Sequence, residues 1–387
     1  MNKRLRVRVL PLMLASLLAS SPTFAQNTSA ALSGRVTDAA GNPVAGATVD
    51  IIHVPSNTTK QVTTDADGRF NARGLRVGGP FIVDAEKAGL NKVERKDVFL
   101  KLAEDTSVDL QMGTDAATLE SVEVTANATS TVFQADNKGL STNISRAQIA
   151  AFPSISRSIQ DYVRLDPRIS QTDKERGEIS AVGQNSRYNN IKIDAVSTND
   201  EFGLEATGLP SQSGTQPISI DTIEEFNVST ANYDVTNSRA VGASINAVTK
   251  SGTNDFHGSV YFTYRDPDMI GENEAGTKFT GFGKQTNKGL TVGGPIVKDT
   301  LFFFVNYEEF ERTNIAPDVG VAGSGATNEA GITQGQLDQI VSIARNKWGF
   351  DAGSLNPSGD LSDKKYLLKL DWNINDYHRA SFRYNKT

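Results

Sequence analysis

Between Phe256 and Thr387, five segments alternate apolar and polar positions with a period of two. In GSVYFTYRD, Val260, Phe262 and Tyr264 share one side; Ser259, Tyr261, Thr263 and Arg265 share the other. NKGLTVGG repeats the pattern more weakly through Leu290 and Val292. TLFFFVNYEEF sets Leu301, Phe303, Val305 and Tyr307 against Phe302, Phe304, Asn306 and Glu308. KYLLKLDWNI sets Tyr366, Leu368, Leu370, Trp372 and Ile374 against Leu367, Lys369, Asp371 and Asn373. HRASFRYNKT begins a fifth segment, with Ala380, Phe382 and Tyr384 on its apolar side. Side chains alternate across a strand, so each segment predicts a strand with one apolar and one largely polar face.

A water-soluble sandwich alternates too, and the connections separate the two cases. The links from about Asp266 to Lys284 and from about Thr313 to Asp363 are long, and the second contains a helical segment, QGQLDQIVSIARNKWGF. GPIVKD and the link around NDYH are short. Long and short links in turn, with aromatic residues toward strand ends, predict a membrane barrel with loops outside and tight turns in the periplasm. Five strands do not close such a barrel, and an open edge in lipid leaves backbone groups unpaired. The expectation is therefore a C-terminally truncated fragment holding the first strands of a transmembrane antiparallel β-barrel.

The pattern differs upstream. From Leu32 to Met112, short alternating segments (LSGRVTD, GATVDIIHV, KQVTTD, RFNARGL, FIVDAEKAG, VERKDVFL, TSVDLQM) are punctuated by AAGNP, DADG and RVGGP. This predicts a β-sandwich of about seven strands, with Ala47, Val49, Ile51 and His53 on one face of the second. Asp65 and Asp67 before Gly68 read as a hairpin turn rather than a calcium loop, because the remaining ligands of such a loop are missing. After a polar linker, SRAQIAAFP and SISRSIQDYVRLDP have helical spacing. In the second, Ile155, Ile159, Tyr162, Val163 and Leu165 share a broad face, Ser154 or Ser156 can cap the start, and Pro167 ends it. Strand-like EISAVG and NNIKIDAV follow, then a Gly/Ser-rich loop, ISIDTIEEFNVSTANYD and RAVGASINAVTKSGTNDFHGS. This mixture predicts an α+β middle domain. Glu224 and Glu225 read as a solvated helix end, since adjacent helical residues do not face each other.

LESVEVT, Leu119 to Thr125, stands apart. Val122, Val124 and Thr125 are strand formers, but the flanks GTDAAT and ATSTVFQADNKG are small and polar. A lone strand in a flexible linker suits pairing with a partner's sheet edge. An extra strand of the sandwich, or a simple linker, is the alternative.

Composition narrows the function. Lys3, Arg4, Arg6 and Arg8 precede a mostly apolar run, Val9 to Ala19, and Thr23 and Ala25 form a small-residue cleavage site. This is the pattern of a secretory signal peptide over residues 1–25, with an apolar run too short to span a bilayer. The net charge of −6 argues against nucleic-acid partners, and the absence of cysteine removes disulfides and a thiol nucleophile. His53, His257 and His378 match no metal-ligand spacing and read as surface or turn residues. There is no G-x-S-x-G elbow, so nothing in the pattern asks for an enzyme or a cofactor.

SGRVTDAAGNPVAGATV and TTDADGRF resemble the carboxypeptidase regulatory-like domain, a sandwich appendage without catalytic groups. ISIDTIEEFNVSTANYD, GASINAVTKSGTNDFHGSVYFTYRD and GLTVGGPIVKDTLFFFVNYEEFERT resemble the end of the plug and the first barrel strands of TonB-dependent outer-membrane receptors of the Oar-like branch. The resemblance implies signal peptide 1–25, sandwich 26–113, linker with TonB box 114–135, plug domain 136–254 and partial barrel 255–387. It implies an outer-membrane protein of a Gram-negative cell, with its N-terminal domains in the periplasm. Leu119, Glu120, Ser121, Val122, Glu123, Val124 and Thr125 then form the TonB box, which pairs with the energy-coupling protein TonB. The other partners are outer-membrane lipid and an unidentified extracellular substrate, whether oligosaccharide, peptide or protein. Ser197 to Gln216 is a candidate substrate loop by its polarity and glycine content. The implied activity is uptake through a plugged barrel without chemistry; a surface adhesion or protein-secretion factor of the same architecture is the alternative.

Overall fold

The computed structural model describes residues 28–113, 139–154, 157–173, 177–200, 209, 216–232, 241–272, 274, 276, 282–313, 319–353, 355, 360–375 and 378–387. The expected signal peptide and the Leu119 to Thr125 segment lie outside these residues.

The first unit holds β1 (Ala30–Asp38), β2 (Thr48–His53), β3 (Thr58–Thr63), β4 (Arg69–Leu75), β5 (Gly78–Glu86), β6 (Val93–Leu100), β7 (Asp105–Ser107) and β8 (Leu110–Met112). One sheet runs β4-β1-β7, with β8 also on β1, and the other runs β3-β2-β5-β6. Between them lie Leu32, Val36, Val49, Ile51, Phe70, Phe81, Val83 and Leu100, all buried. Each such side chain contributes about 1.5–3 kcal/mol on leaving water. The expected turn at Asp65 forms: its Oδ1 accepts from Asp67 N at 2.9 Å and Arg69 N at 2.8 Å. His53 departs from the expected surface position. It is 7% exposed, 4.8 Å from the Phe81 ring, with Nδ1 2.6 Å from Ser56 Oγ. Burial, with Arg76 and Arg379 nearby, lowers its pKa to about 3.

The middle unit comprises β9 (Gly139–Ser145), α1 (Arg146–Ala151), α2 (Ile159–Val163), β10 (Ile169–Asp173), β11 (Glu178–Ala181), β12 (Asn190–Ile193), β13 (Val196–Ser197), β14 (Ile223–Asn232) and β15 (Ser244–Thr249). Its main sheet runs β13-β12-β15-β14-β9. α1 starts with a capping box between Ser145 and Gln148, which satisfies donors at the open helix end. α2 is shorter than its sequence spacing suggests. Arg157 has φ +51, which interrupts the helical run, and Ser158 rather than Ser154 caps the start. Ser154 Oγ instead accepts from Arg157 N at 2.8 Å and donates to Asp161 at 2.6 Å. Glu224 and Glu225 are not a solvated helix end. They lie on β14, and Glu225 is 4% exposed because β14 runs inside the sheet and the sandwich covers it.

The third unit is a meander of β16 (His257–Arg265), β17 (Lys284–Val297), β18 (Leu301–Thr313), β21 (Leu361–Asn375) and β22 (His378–Lys386) in the order β16-β17-β18-β21-β22. Between β18 and β21 lie the short strands β19 (Val319–Gly320) and β20 (Asn328–Glu329) and the helix α3 (Gln334–Trp348). Every pairing in the meander is antiparallel, and register sorts the faces. Val292, Val305, Leu368 and Tyr384 form one outward row, and Leu290, Tyr307 and Tyr366 another. Val260 is 86% exposed and Phe262 66%, whereas Phe302 and Phe304 on the opposite face are at 0% and 1%. The apolar band thus faces away from the protein. At its long-loop end the Tyr307 and Tyr366 rings lie 5.1 Å apart, and the next row pairs Glu309 with Lys288 at 3.0 Å and Lys364 at 3.3 Å. An apolar band edged by aromatic rings and then by charges matches a bilayer-facing wall.

Candidate functional site: the seam between wall and middle unit

The inward face of the wall is built around the middle unit. Phe304 and Leu367 belong to the same buried cluster as Ile144, Ile191, Phe226 and Ile245. Beside them lies a buried ionic network. Lys365 Nζ is 2.6 Å from Glu308 Oε1 and 3.1 Å from Asp363 Oδ2. Ser219, from the middle unit, donates to Glu308 Oε2 at 2.6 Å, and Tyr261 donates to the same oxygen. The Arg157 guanidinium sits 4.4 Å from the Tyr261 ring centre and pairs with Asp221. Tyr261, Gly289, Glu308 and Lys365 occupy one register row, so Tyr261 must cross Gly289 to reach Glu308. A Cβ at residue 289 would collide with the phenol ring, so glycine is needed there for space.

A second network lies nearer the short turns. Asp194, in the turn after β12, accepts from Thr249 N at 2.8 Å and Thr249 Oγ1 at 2.7 Å. From the wall, Arg383 reaches Asp194 at 2.9 Å, and Lys369 donates to Thr249 O at 2.9 Å. These contacts hold charge away from water at high desolvation cost, so each partner depends on the other. Inward Lys365 and Lys369 were legible as the polar side of an alternating strand, but Glu308 and the Thr249 carbonyl lie 57 and 120 residues away and carried no local signal.

The sandwich meets both other units at the short-turn end. Glu225 Oε1 accepts from Leu102 N at 2.9 Å, and Asn227 Nδ2 donates to Leu102 O at 3.4 Å. Burial raises the Glu225 pKa to about 8, assisted by Glu104 and Glu224 and opposed by the Leu102 N–H and Lys101. Glu224 is also raised by burial, with Arg146 opposing at 3.8 Å. A cavity of ≈ 900 Å³ opens among the three units, lined by His53, Arg76, Glu224, Thr249, Asp371 and Arg379 among others. Burial lowers the Arg76 pKa, and its guanidinium sits 5.4 Å from the Phe302 ring centre.

The expected TonB box, Leu119 to Thr125, and most of the candidate loop Ser197 to Gln216 lie outside the described residues. Among the described residues no group of three or more His, Asp or Glu side chains could hold a metal ion, and no helix is long and apolar enough to cross a membrane.

The chain matches the carboxypeptidase regulatory-like domain over residues 31–113 and the outer membrane beta barrel domain over residues 248–346. It is 29% identical over 394 residues to the TonB-dependent transporter Oar of Myxococcus xanthus, covering 96% of this chain and 34% of that protein. The chain is homologous to TonB-dependent transporters. A probable TonB-dependent siderophore receptor, PirA of Acinetobacter baumannii, is 27% identical over 198 residues, 45% of this chain and 24% of that protein. The chain therefore spans about a third or less of the length of these relatives. Among solved structures, the siderophore receptor PirA from Pseudomonas aeruginosa aligns with a TM-score of 0.40 at 12% identity, covering 63% of this chain and 34% of that one. The barrel-domain match and the outward apolar band locate the chain in the outer membrane.

Proposed function

We propose that the chain forms the energised part of a TonB-dependent outer-membrane receptor, with the middle unit as its plug. One observation carries this reading: the wall turns its apolar face outward and buries its polar face on the middle unit. Beside the shared apolar cluster, the seam is held by polar contacts (Ser219 to Glu308, Arg383 to Asp194 and Lys369 to the Thr249 carbonyl) that water can replace when the domain moves. In this reading TonB pairs with Leu119 to Thr125 as an added strand and pulls. The plug then shifts along the wall, and a substrate bound between plug and outer loops passes inward. In this reading the substrate is an oligosaccharide, a peptide or a protein. No bond is made or broken, which fits relatives that are transporters and receptors.

The test is binding of the purified TonB periplasmic domain to the full-length protein by calorimetry. Val122→Pro and Val124→Pro each remove a ladder donor and are expected to weaken binding at least tenfold. Unchanged binding in both contradicts the proposal.

A surface-contact role, as in adhesion or protein secretion, draws on one further observation. In the long connection, Ile340 is 52% exposed, Trp348 69% and Phe350 63%. Loss of TonB abolishes uptake and leaves adhesion intact, which separates the two readings.

A further inference from the structure

The sandwich is more than a bead on a tether. It sits at the end of the wall that carries the short turns, opposite the long connections. Pro55 O accepts from Asn254 N at 2.8 Å, and Thr58 Oγ1 accepts from Asn373 Nδ2 at 3.0 Å. Asn373 also donates to Asp299 O at 3.0 Å, in the short turn between β17 and β18. Arg379 of β22 donates to Gly74 O, and Arg76 lies over Phe302. On the middle unit the grip is closer. Glu225 and Asn227 hold both backbone groups of Leu102, whose side chain is 0% exposed. Two side chains thereby do for Leu102 what a neighbouring strand would do, and leave its amide with no need of water.

The strand that makes this grip matters. β14 pairs with β9 on one side and β15 on the other, and β9 is where the chain enters the middle unit. A pull that arrives through β9 shears it along β14. The grip on Leu102 holds β14 to the sandwich, and the rim contacts hold the sandwich to the wall. While both persist, β14 cannot follow.

We propose that the sandwich is a seated cover on the short-turn end of the middle unit, and that it must leave this seat before the middle unit can move. The cover rests on the reading of the middle unit as the moving part. Its release is graded by pH. Glu225, faced by Lys101 and Glu104 of the sandwich and Glu224 of its own strand, has a raised pKa in the seated state. Protonation therefore favours seating. Seating is strongest below the ordinary glutamate range and weakens by up to about tenfold per unit as pH rises toward 8.

The chain has no cysteine, which makes a site-specific test direct. Thr58→Cys and Asn373→Cys are placed in the full-length protein in outer-membrane vesicles and joined by a short bis-methanethiosulfonate linker. Linkage is expected to exceed that of a Thr58→Cys/Asn385→Cys control by at least tenfold. Hydrogen exchange along β14 is expected to slow at least tenfold in the linked protein and to recover on reduction. Linkage no better than the control overturns the seat. Efficient linkage with unchanged exchange overturns the claim that the cover must leave first. Neither readout uses TonB, so failure of TonB to bind the wild-type protein would strike the proposed function and leave these results to be judged separately.

Discussion

The sandwich and the wall share a period of two and resolve it in opposite senses. In β2, Val49 and Ile51 point inward to a dry core while Asp50 faces water. In β21, Leu367, Lys369 and Asp371 point inward while Leu368 and Trp372 face out. Period alone reports that a strand has two faces and is silent on which one the protein buries. What lies opposite each face decides that. The sandwich has a second sheet, and the apolar faces of the two meet in one buried cluster. The wall instead meets a domain that offers Ser219, Asp194 and the Thr249 carbonyl, and polar partners draw the polar face inward.

Breaking that polar face should have the largest effect. Lys365→Met leaves Glu308 buried beside Asp363 without a cation and is expected to cost about 3–5 kcal/mol. The loss is read as a lowered thermal midpoint of the full-length protein in detergent. The double change Lys365→Met/Glu308→Leu should recover much of it, because it is the orphaned charge that costs most. A single mutant as stable as wild type would show that the network does not hold wall and middle unit together.

Leu368→Arg attacks the outer face and should cost about 2–4 kcal/mol if placed near the bilayer centre. Asp50→Arg, on the outward side of the sandwich, should change stability by less than about 0.5 kcal/mol. Equal effects would erase the difference between the two sheets. Gly289→Ala drives a methyl into Tyr261 and should cost about 1–3 kcal/mol, seen as a smaller fall in the same midpoint. The mildest change is Glu225→Gln, which keeps an acceptor for Leu102 and removes the titration. Between pH 5 and 8, linkage of the Thr58→Cys/Asn373→Cys pair, taken at each pH relative to the Thr58→Cys/Asn385→Cys control so that thiolate reactivity cancels, should weaken with rising pH when Glu225 is present and stay flat with Glu225→Gln.

Much of this was legible because it is local. That Val260, Leu368 and Phe382 each share one face with the apolar residues of their own strand follows from alternation, and the turn at Asp65 from its Asp and Gly residues. The gathering of long connections at one end of the wall and short turns at the other was legible because loop length alternates with the strands. What escaped was long-range. Glu225 looks like one of two surface acids until Leu102, 123 residues earlier, is laid across it. His53 continues an apolar strand face, yet only the fold shows Phe81 and the nearby Arg76 and Arg379 around it. The stretch around Ser154 has helical spacing, but Arg157 adopts a left-handed conformation, and among the described residues of the stretch the helix is Ile159–Val163. Periodicity carries no information on such a break.

The central claim, that the wall faces lipid with one side and grips the middle unit with the other, reduces to two adjacent residues. Leu367 is 2% exposed and Leu368 36%. Leu367→Cys and Leu368→Cys, each in the full-length protein reconstituted in lipid vesicles and spin-labelled, report their surroundings by relaxation with oxygen and with a water-soluble nickel chelate. The label at 368 should respond to oxygen and not to nickel, and the label at 367 should be immobile and respond weakly to both. A mobile, oxygen-accessible label at 367 beside an immobile one at 368 would turn the wall inside out and contradict the account.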